Sequence, residues 1–344
     1  VSSPFHLCIL RLSAIGDVCH AAAMVDAILT HKPDIKITWV VGKIEYQLVK
    51  YIQHVNFIIY DKQAGSEARK AVKTALADTT FDALFVMQVA LRANWLSTVI
   101  KAKRRIGFDK KRSKEGHSLF VNERIAPRAN AHVLDGFMGF AETLGIPPQV
   151  SPKWNIPLQE DDLAWLATEL PEKYAVISPA ASKETRNWLP ERYAEIADYL
   201  VDQGLQVVLC GGPGDLDKRT SDAILQHTQN ITHNLVGKTS LIRLLAVLKG
   251  AELVIAPDTG PAHMATTQGT PVIGLYAHSN PRRTGPYNSL HTTASVYDAC
   301  VLKQFGKPWQ ELPWGKRVKG DDLMSQITVQ EVKTLIQNVL HPVQ

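Results

Sequence analysis

Short apolar runs, each ending in a loop of small or acidic residues and followed by a helix-spaced pattern, recur along this chain. That alternation constrains its fold more than any other feature. Leu7–Leu12, Ile35–Val41, Asn56–Tyr60 and Ala83–Met87 read as strands in the first part. Ala175–Ser178, Gln206–Cys210, Leu253–Ala256 and Val272–Leu275 read as strands in the second. Between them, helical spacing covers Val18–Leu29, Ile44–Ile52, Ser66–Ala77, Ala93–Ala102 and the face Val133, Leu134, Phe137, Met138, Ala141, Leu144. After the midpoint it covers Leu163–Glu169, Pro190–Gln203, Ser221–Thr228 and Ser240–Gly250. Strands this uniformly apolar are buried on both faces, which predicts parallel sheets covered by helices on each side.

A turn-rich stretch from Gly145 through Pro147, Pro148, Pro152 and Pro157 interrupts the pattern and reads as a linker. At 344 residues the chain is long for one core. The expected architecture is therefore α/β, with two Rossmann-like doubly wound domains facing each other across a cleft, the default ligand site. Their expected limits are 1–150 and 151–325. A C-terminal helical stripe follows within 326–344: Val332, Leu335, Ile336, Val339 and Leu340.

Composition excludes several classes. Hydrophobic residues make up 45% and charged residues 21%, as in globular proteins with ample core. No apolar run is long enough to span a bilayer, and the first residues lack a secretory signal pattern. Four scattered cysteines show no metal-ligand spacing, and Cys8 and Cys210 fall inside strand patterns; together these features favour a reducing, cytoplasmic setting. The formal charge of +5 is unevenly placed, because residues 101–128 hold ten Lys or Arg against Asp109, Glu115 and Glu123. That segment suits an anionic partner: a substrate phosphate, anionic lipid or, least favoured for want of any nucleic-acid-binding motif, nucleic acid. A solvated loop without a partner reads equally well from charge alone.

Three strand ends carry chemistry. Ser13-Ala14-Ile15-Gly16-Asp17 follows the first strand. It is not GxGxxG, so it does not argue for a dinucleotide. Asp17 there suits both an N-cap for the next helix and a general base. Ser178 to Trp188 follows the first strand of the second half, and Ser182, Lys183 and Arg186 suit a diphosphate near a helix start. Asp258-Thr259-Gly260-Pro261-Ala262-His263 follows Leu253–Ala256, placing an acid, free backbone N–H groups and an imidazole at a buried strand end. Asp215 and Asp217, beyond Gly211-Gly212-Pro213-Gly214, suit ribose hydroxyls, and Thr239 precedes the Ser240–Gly250 helix. No acidic pair at these loops reads as a metal site; Asp161-Asp162 and Asp321-Asp322 lie elsewhere.

Arg11-Leu-Ser-Ala-Ile-Gly-Asp-Val18, Arg186-Asn-Trp-Leu-Pro-Glu-Arg-Tyr193 and the stretch from Asp258 to Gly285-Pro286-Tyr287 together resemble glycosyltransferase family 9, the ADP-heptose:lipopolysaccharide heptosyltransferases. Arg105-Ile-Gly-Phe-Asp109, Glu115-Gly-His-Ser-Leu-Phe120 and Ala131-His132-Val133 are similar to its heptosyltransferase I branch. The resemblance covers most of the chain. It implies a GT-B fold whose C-terminal helix returns to the first domain. It also implies a metal-independent, inverting transfer of L-glycero-D-manno-heptose from ADP-heptose to the Kdo–lipid A inner core, without a cofactor. Asp17 matches the family's general base. Asp258, Thr259, Gly260 and His263 match the donor motif, with Ser182, Lys183, Arg186, Asp215 and Thr239 completing the donor-side candidates. On the acceptor side stand Ser13, Gly16, Arg104, Arg105, Lys110, Lys111 and Arg112. Better-known members place Lys two residues before the Trp where this chain has Arg186, so either Arg186 or Lys183 is the phosphate contact. A lipid acceptor further implies peripheral contact with the inner face of the cytoplasmic membrane and no nucleic-acid partner. The alternatives are the same fold with another nucleotide sugar or a later core acceptor, and a non-catalytic nucleotide- or glycan-binding relative.

Overall fold

A computed structural model describes residues 4–342. The outer ends of the expected first and last segments, 1–3 and 343–344, lie outside the described residues. The chain divides into two compact units between Pro157 and Leu158.

In the first unit, strands and helices alternate as β1 (His6–Leu10), α1 (Ile15–His31), β2 (Lys36–Gly42), α2 (Lys43–Val49), β3 (Val55–Tyr60), α3 (Gly65–Ala75), β4 (Thr80–Val86), α4 (Leu91–Ser97) and β5 (Lys101–Gly107). A two-residue β6 (Glu123–Arg124) and α5 (Val133–Glu142) complete it. The sheet runs β3-β2-β1-β4-β5-β6, with each neighbouring pair parallel. Alternating β1 side chains face opposite layers. Cys8 and Leu10 pack with Val72 of α3 and Ala93 and Leu96 of α4. On β4, Phe85 meets Phe140 of α5 with ring centroids 5.3 Å apart. The unit extends past the expected limit of 150 because the linker is tied down: Trp154 Nε1 donates to the Cys19 carbonyl at 2.8 Å.

The second unit repeats the plan with α6 (Glu160–Glu169), β7 (Tyr174–Ile177), α7 (Pro190–Asp202), β8 (Gln206–Leu209), α8 (Asp215–Leu225), β9 (Ile231–Asn234) and α9 (Leu241–Gly250). It continues through β10 (Leu253–Pro257), α10 (Gly260–Thr267), β11 (Val272–Tyr276), α11 (Pro281–Thr284), β12 (Thr293–Ser295), α12 (Tyr297–Phe305) and α13 (Val329–Leu340). The strand order β12-β11-β10-β7-β8-β9 is the same doubly wound order as in the first unit. Val332 and Ile336, one turn apart on α13, bury in the second unit's core with Trp188, Tyr193, Ile273 and Leu275. The buried side of this helix is therefore part of that unit's core.

Four strands were not expected. β5 begins within the basic segment, and β6, β9 and β12 are two to four residues long. Helix α8 starts at Asp215, six residues before the expected Ser221, because the glycine loop ends at its N-cap Gly214.

Candidate active site

Each sheet has one place where successive connections wind away in opposite directions, and loops there are left open above the strand ends. In the first unit that place lies between β1 and β4, in the second between β7 and β10. Arg11 and Asp17 stand at the first of these places, and Arg186, Asp258 and His263 at the second.

Beyond β1, Arg11 is buried and forms an ion pair with Asp17. Its guanidinium also donates to the Met87 carbonyl beyond β4 and lies 5.3 Å from the Phe137 ring centroid. Burial lowers the Arg11 pKa, while Asp17 and then Glu45 oppose that shift. Arg11 thus bridges the switch point and holds one carboxylate there. Asp17 is not the N-cap of α1; that position is Ala14, and Asp17 sits in the first turn, its Oδ2 accepting the Ala14 N–H at 3.4 Å. The side chain remains 34% exposed, so it is positioned and accessible together. Ser13 lies in the loop before α1 and Gly16 in its first turn, and in that loop Leu12 N–H donates to Gln88 Oε1 at 3.0 Å. The neighbouring strand end needs its glycine, since a Cβ on Gly42 would stand 2.4 Å from the Leu12 carbonyl oxygen. Glu45 packs beside it, and burial raises its pKa.

In the second unit, Asp258 is the hub. Ser279 Oγ donates to its Oδ2 at 2.9 Å, Arg186 Nη1 lies 3.8 Å from the same oxygen, and His263 Nε2 lies 3.9 Å from Oδ1. Arg186 Nη2 donates to Ser182 Oγ at 2.6 Å. Thr259 caps α10 and Gly260 opens it, so the first-turn N–H groups point out of the helix end. Arg186 Nε and Thr259 Oγ1 are buried without a hydrogen-bond partner among the described residues. Charge, free donors and a helix N-terminus meet in one place, the arrangement an anionic ligand requires.

The remaining donor-side candidates are placed differently. Lys183 is exposed at the start of the turn that carries Arg186, and Asp215 is exposed at the first position of α8. Asp217 is engaged structurally, accepting the Gly212 N–H at 2.8 Å. Thr239 is half-buried immediately before Ser240, the N-cap of α9. Ser279 and His278 were missed. His278 reaches the Thr185 carbonyl at 2.8 Å and the Val318 carbonyl at 3.2 Å, fixing the Arg186 turn against the segment near 318. Their signal was positional: they follow strand Val272–Leu275 as Asp258 follows Leu253–Ala256.

The basic segment is less free than its charge suggests. Arg104 forms a bidentate pair with Glu123 at 2.9 and 2.7 Å. Arg105 donates to the carbonyls of Phe120, Ile100 and Ser97 and to Ser97 Oγ. Arg112 pairs with Asp109. These three expected acceptor contacts are engaged in holding the β5–β6 connection together. Lys110 and Lys111 are exposed, and neither ammonium is paired among the described residues. Among the described residues no three His, Cys, Asp or Glu side chains come together as a metal site.

Residues 69–314 match the family described as glycosyltransferase family 9 (heptosyltransferase). The chain is 46% identical over 332 residues to the lipopolysaccharide core heptosyltransferase OpsX of Haemophilus influenzae, covering 96% of this chain and 95% of that one. It is 26% identical to lipopolysaccharide heptosyltransferase 1 of Escherichia coli, covering 81% and 90%. Among solved structures, a family 9 glycosyltransferase from Veillonella parvula superposes with a TM-score of 0.80 at 20% identity, covering 98% and 97%. The E. coli heptosyltransferase WaaC with ADP superposes with a TM-score of 0.76 at 23% identity, covering 97% and 100%. The two doubly wound units are thus those of the GT-B fold, and the chain belongs to glycosyltransferase family 9, the heptosyltransferases.

Proposed function

We propose that this enzyme transfers heptose from ADP-heptose to the Kdo–lipid A inner core of lipopolysaccharide, with inversion at the anomeric carbon and without a metal. The observation that carries the reading is the accessible Asp17 carboxylate, held by buried Arg11 at the switch point of the first sheet. The names of the relatives support the substrates: one acts as a lipopolysaccharide core heptosyltransferase, and WaaC structures hold ADP and ADP-2-deoxy-2-fluoro heptose.

In this reading the second unit binds the donor. Arg186, with Lys183 nearby, and the α10 N-terminus at Thr259 and Gly260 stabilise the charge that grows on the departing diphosphate. Asp258 keeps Arg186 and His263 oriented. The first unit supplies the base: Asp17 takes the proton of the acceptor hydroxyl as its oxygen bonds to the anomeric carbon and the bond to ADP breaks. Attack opposite the leaving group inverts the configuration.

The test is acceptor-dependent ADP release from ADP-heptose in excess EDTA, with delipidated and lipid-linked Kdo acceptors. Asp17→Asn is expected to lower kcat by about 10²–10⁴-fold while ADP binding is kept. Release that persists at the wild-type rate in Asp17→Asn removes the assigned base. No release with any Kdo acceptor, despite ADP binding, rejects the substrate assignment.

A further inference from the structure

The three most exposed large apolar side chains among those described are Leu119 at 87%, Trp95 at 59% and Leu91 at 58%. Water-facing side chains of this size are ordinary when scattered, but these three stand on two elements that are tied together. Leu91 and Trp95 are one turn apart on the outer side of α4, whose inner residues Ala93 and Leu96 are in the core. The turn bearing Leu119 is fastened to the start of that helix. Glu115 accepts the Leu91 N–H at 2.6 Å, and the Glu115 carbonyl accepts from Asn94 Nδ2 at 3.3 Å. His117, fully buried, anchors the turn from below through Asn94 Oδ1 at 2.8 Å. The surface is therefore rigidly built, not a loose loop.

Its surroundings are cationic. Arg92 and Lys114 are exposed, flanking Leu91 and Glu115 in sequence, and Lys110 and Lys111 precede them in the same segment. Among the described residues none of these four forms an ion pair, whereas the carboxylate of Glu115, next to Lys114, is engaged at the helix start. Arg69 stacks 4.8 Å from the Trp95 ring centroid, adding a cation beside the indole. Exposed apolar side chains with exposed cations beside them in the same segments match a surface that is hydrocarbon within and anionic at its boundary. Arg92 also acts electrostatically on Glu45, which neighbours Arg11. Leu91 opens α4 at the same end of the sheet as the α1 start that carries Asp17, because the two helices follow the parallel neighbours β4 and β1.

We propose that the outer side of α4 and the 114–119 turn form a docking surface for an anionic lipid bilayer, with Leu91, Trp95 and Leu119 entering the interface. This deepens the function above and rests on it in one respect: a lipid-linked acceptor requires the enzyme to work at a membrane. The surface would hold the first unit where such an acceptor is embedded.

The experiment is flotation of the full chain with phosphatidylglycerol–phosphatidylethanolamine vesicles and with phosphatidylcholine vesicles, without acceptor. Transfer to a delipidated Kdo acceptor is measured in parallel. Flotation with the anionic vesicles only, about tenfold or more weakened in Leu119→Ser and in Lys114→Glu, supports the surface, provided both variants transfer to the soluble acceptor at the wild-type rate. Lipids brominated along the acyl chain are expected to quench tryptophan emission less in Trp95→Phe than in the wild type. Absence of flotation at low salt, or equal flotation of both variants, overturns the proposal and leaves the transfer reading intact. Self-association that Leu119→Ser abolishes, with no vesicle binding, also overturns it in favour of a second copy of the chain. Variant-sensitive vesicle binding by a protein that transfers nothing to any Kdo acceptor supports the docking surface and rejects the transfer reading instead.

Discussion

Arg186 shows how far one residue's chemistry can be read. Its charge and its place two residues before Trp188 marked it as a phosphate contact, and the structure puts it against Asp258 and Ser182. A guanidinium has a second, forked set of donors where an ammonium has one point of charge. Here Nη2 faces Ser182 and Nη1 faces Asp258, and Nε is buried without a partner among the described residues. Arg186→Ala is expected to lower kcat/KM for ADP-heptose about 100-fold, and Arg186→Lys to recover part of it, as steady-state kinetics would show. An Ala variant with an unchanged kcat/KM would shift the phosphate role to Lys183. Asp17 was also legible, but as a type and a place only. That it is held by Arg11, which is itself fixed by the Met87 carbonyl beyond β4, and that it is a first-turn residue of α1 rather than its cap, are seen only in the fold.

At the scale of elements, the joint between α4 and β5 makes a prediction of its own. His117 Nε2 accepts the Phe108 N–H at 3.2 Å while Nδ1 faces Asn94 Oδ1 at 2.8 Å. That pattern requires the neutral ring with its proton on Nδ1, and burial together with Arg124 lowers its pKa to about 4. The folded value lies below the ordinary 6.5, so between these values the unfolded chain binds a proton that the folded one refuses. Stability from this group is intact above about pH 6.5 and falls as pH drops toward 4, by up to roughly 3 kcal/mol. Urea unfolding at pH 7 and 4.5 should show a shallower pH dependence in His117→Gln than in the wild type; parallel slopes would exclude this joint as the acid-sensitive point. The same joint explains Gly107, where a Cβ would stand 2.4 Å from His117 Nε2. Gly107→Ala is expected to destabilise the protein by about 1–3 kcal/mol through overpacking, measurable by the same unfolding assay.

For the molecule as a whole, the second unit is closed by residues far apart in the chain. Trp188 Nε1 donates to the Ile327 carbonyl at 3.1 Å, and Lys333 of α13 pairs with Glu195 of α7 at 2.8 Å. Val332 and Ile336 are fully buried in the core built by β7, β8, β10 and β11. Ile336→Ala is expected to cost about 2–5 kcal/mol and to lower the melting temperature, whereas Lys333→Ala, removing a half-exposed pair, is expected to cost under about 1 kcal/mol. Comparable losses in both would mean that α13 is held by its charges and not by its apolar side.

Much of the fold was legible because its signals are local. Uninterrupted apolar runs, glycine and acid loops and helical stripes announce a doubly wound sheet without reference to anything distant, and the donor motif sits where such a sheet places ligands. The unexpected strand β5 is the counterexample. Lys101, Lys103, Arg104 and Arg105 hide it, because their charges find Ala77, Asp82, Glu123 and the Ser97 carbonyl only once the chain has folded. The same pairings turned most of an apparent anion-binding segment into internal scaffolding and left Lys110, Lys111 and Lys114 facing solvent. The sequence by itself determined the fold class, the strand ends that matter and the residue types standing there. Only the tertiary structure decided which charges are paired, which carboxylate is held by which cation, and that Ser279 meets Asp258 while His278 fixes the Arg186 turn. Those facts depend on neighbouring strands that are distant in the chain, and no local pattern records them.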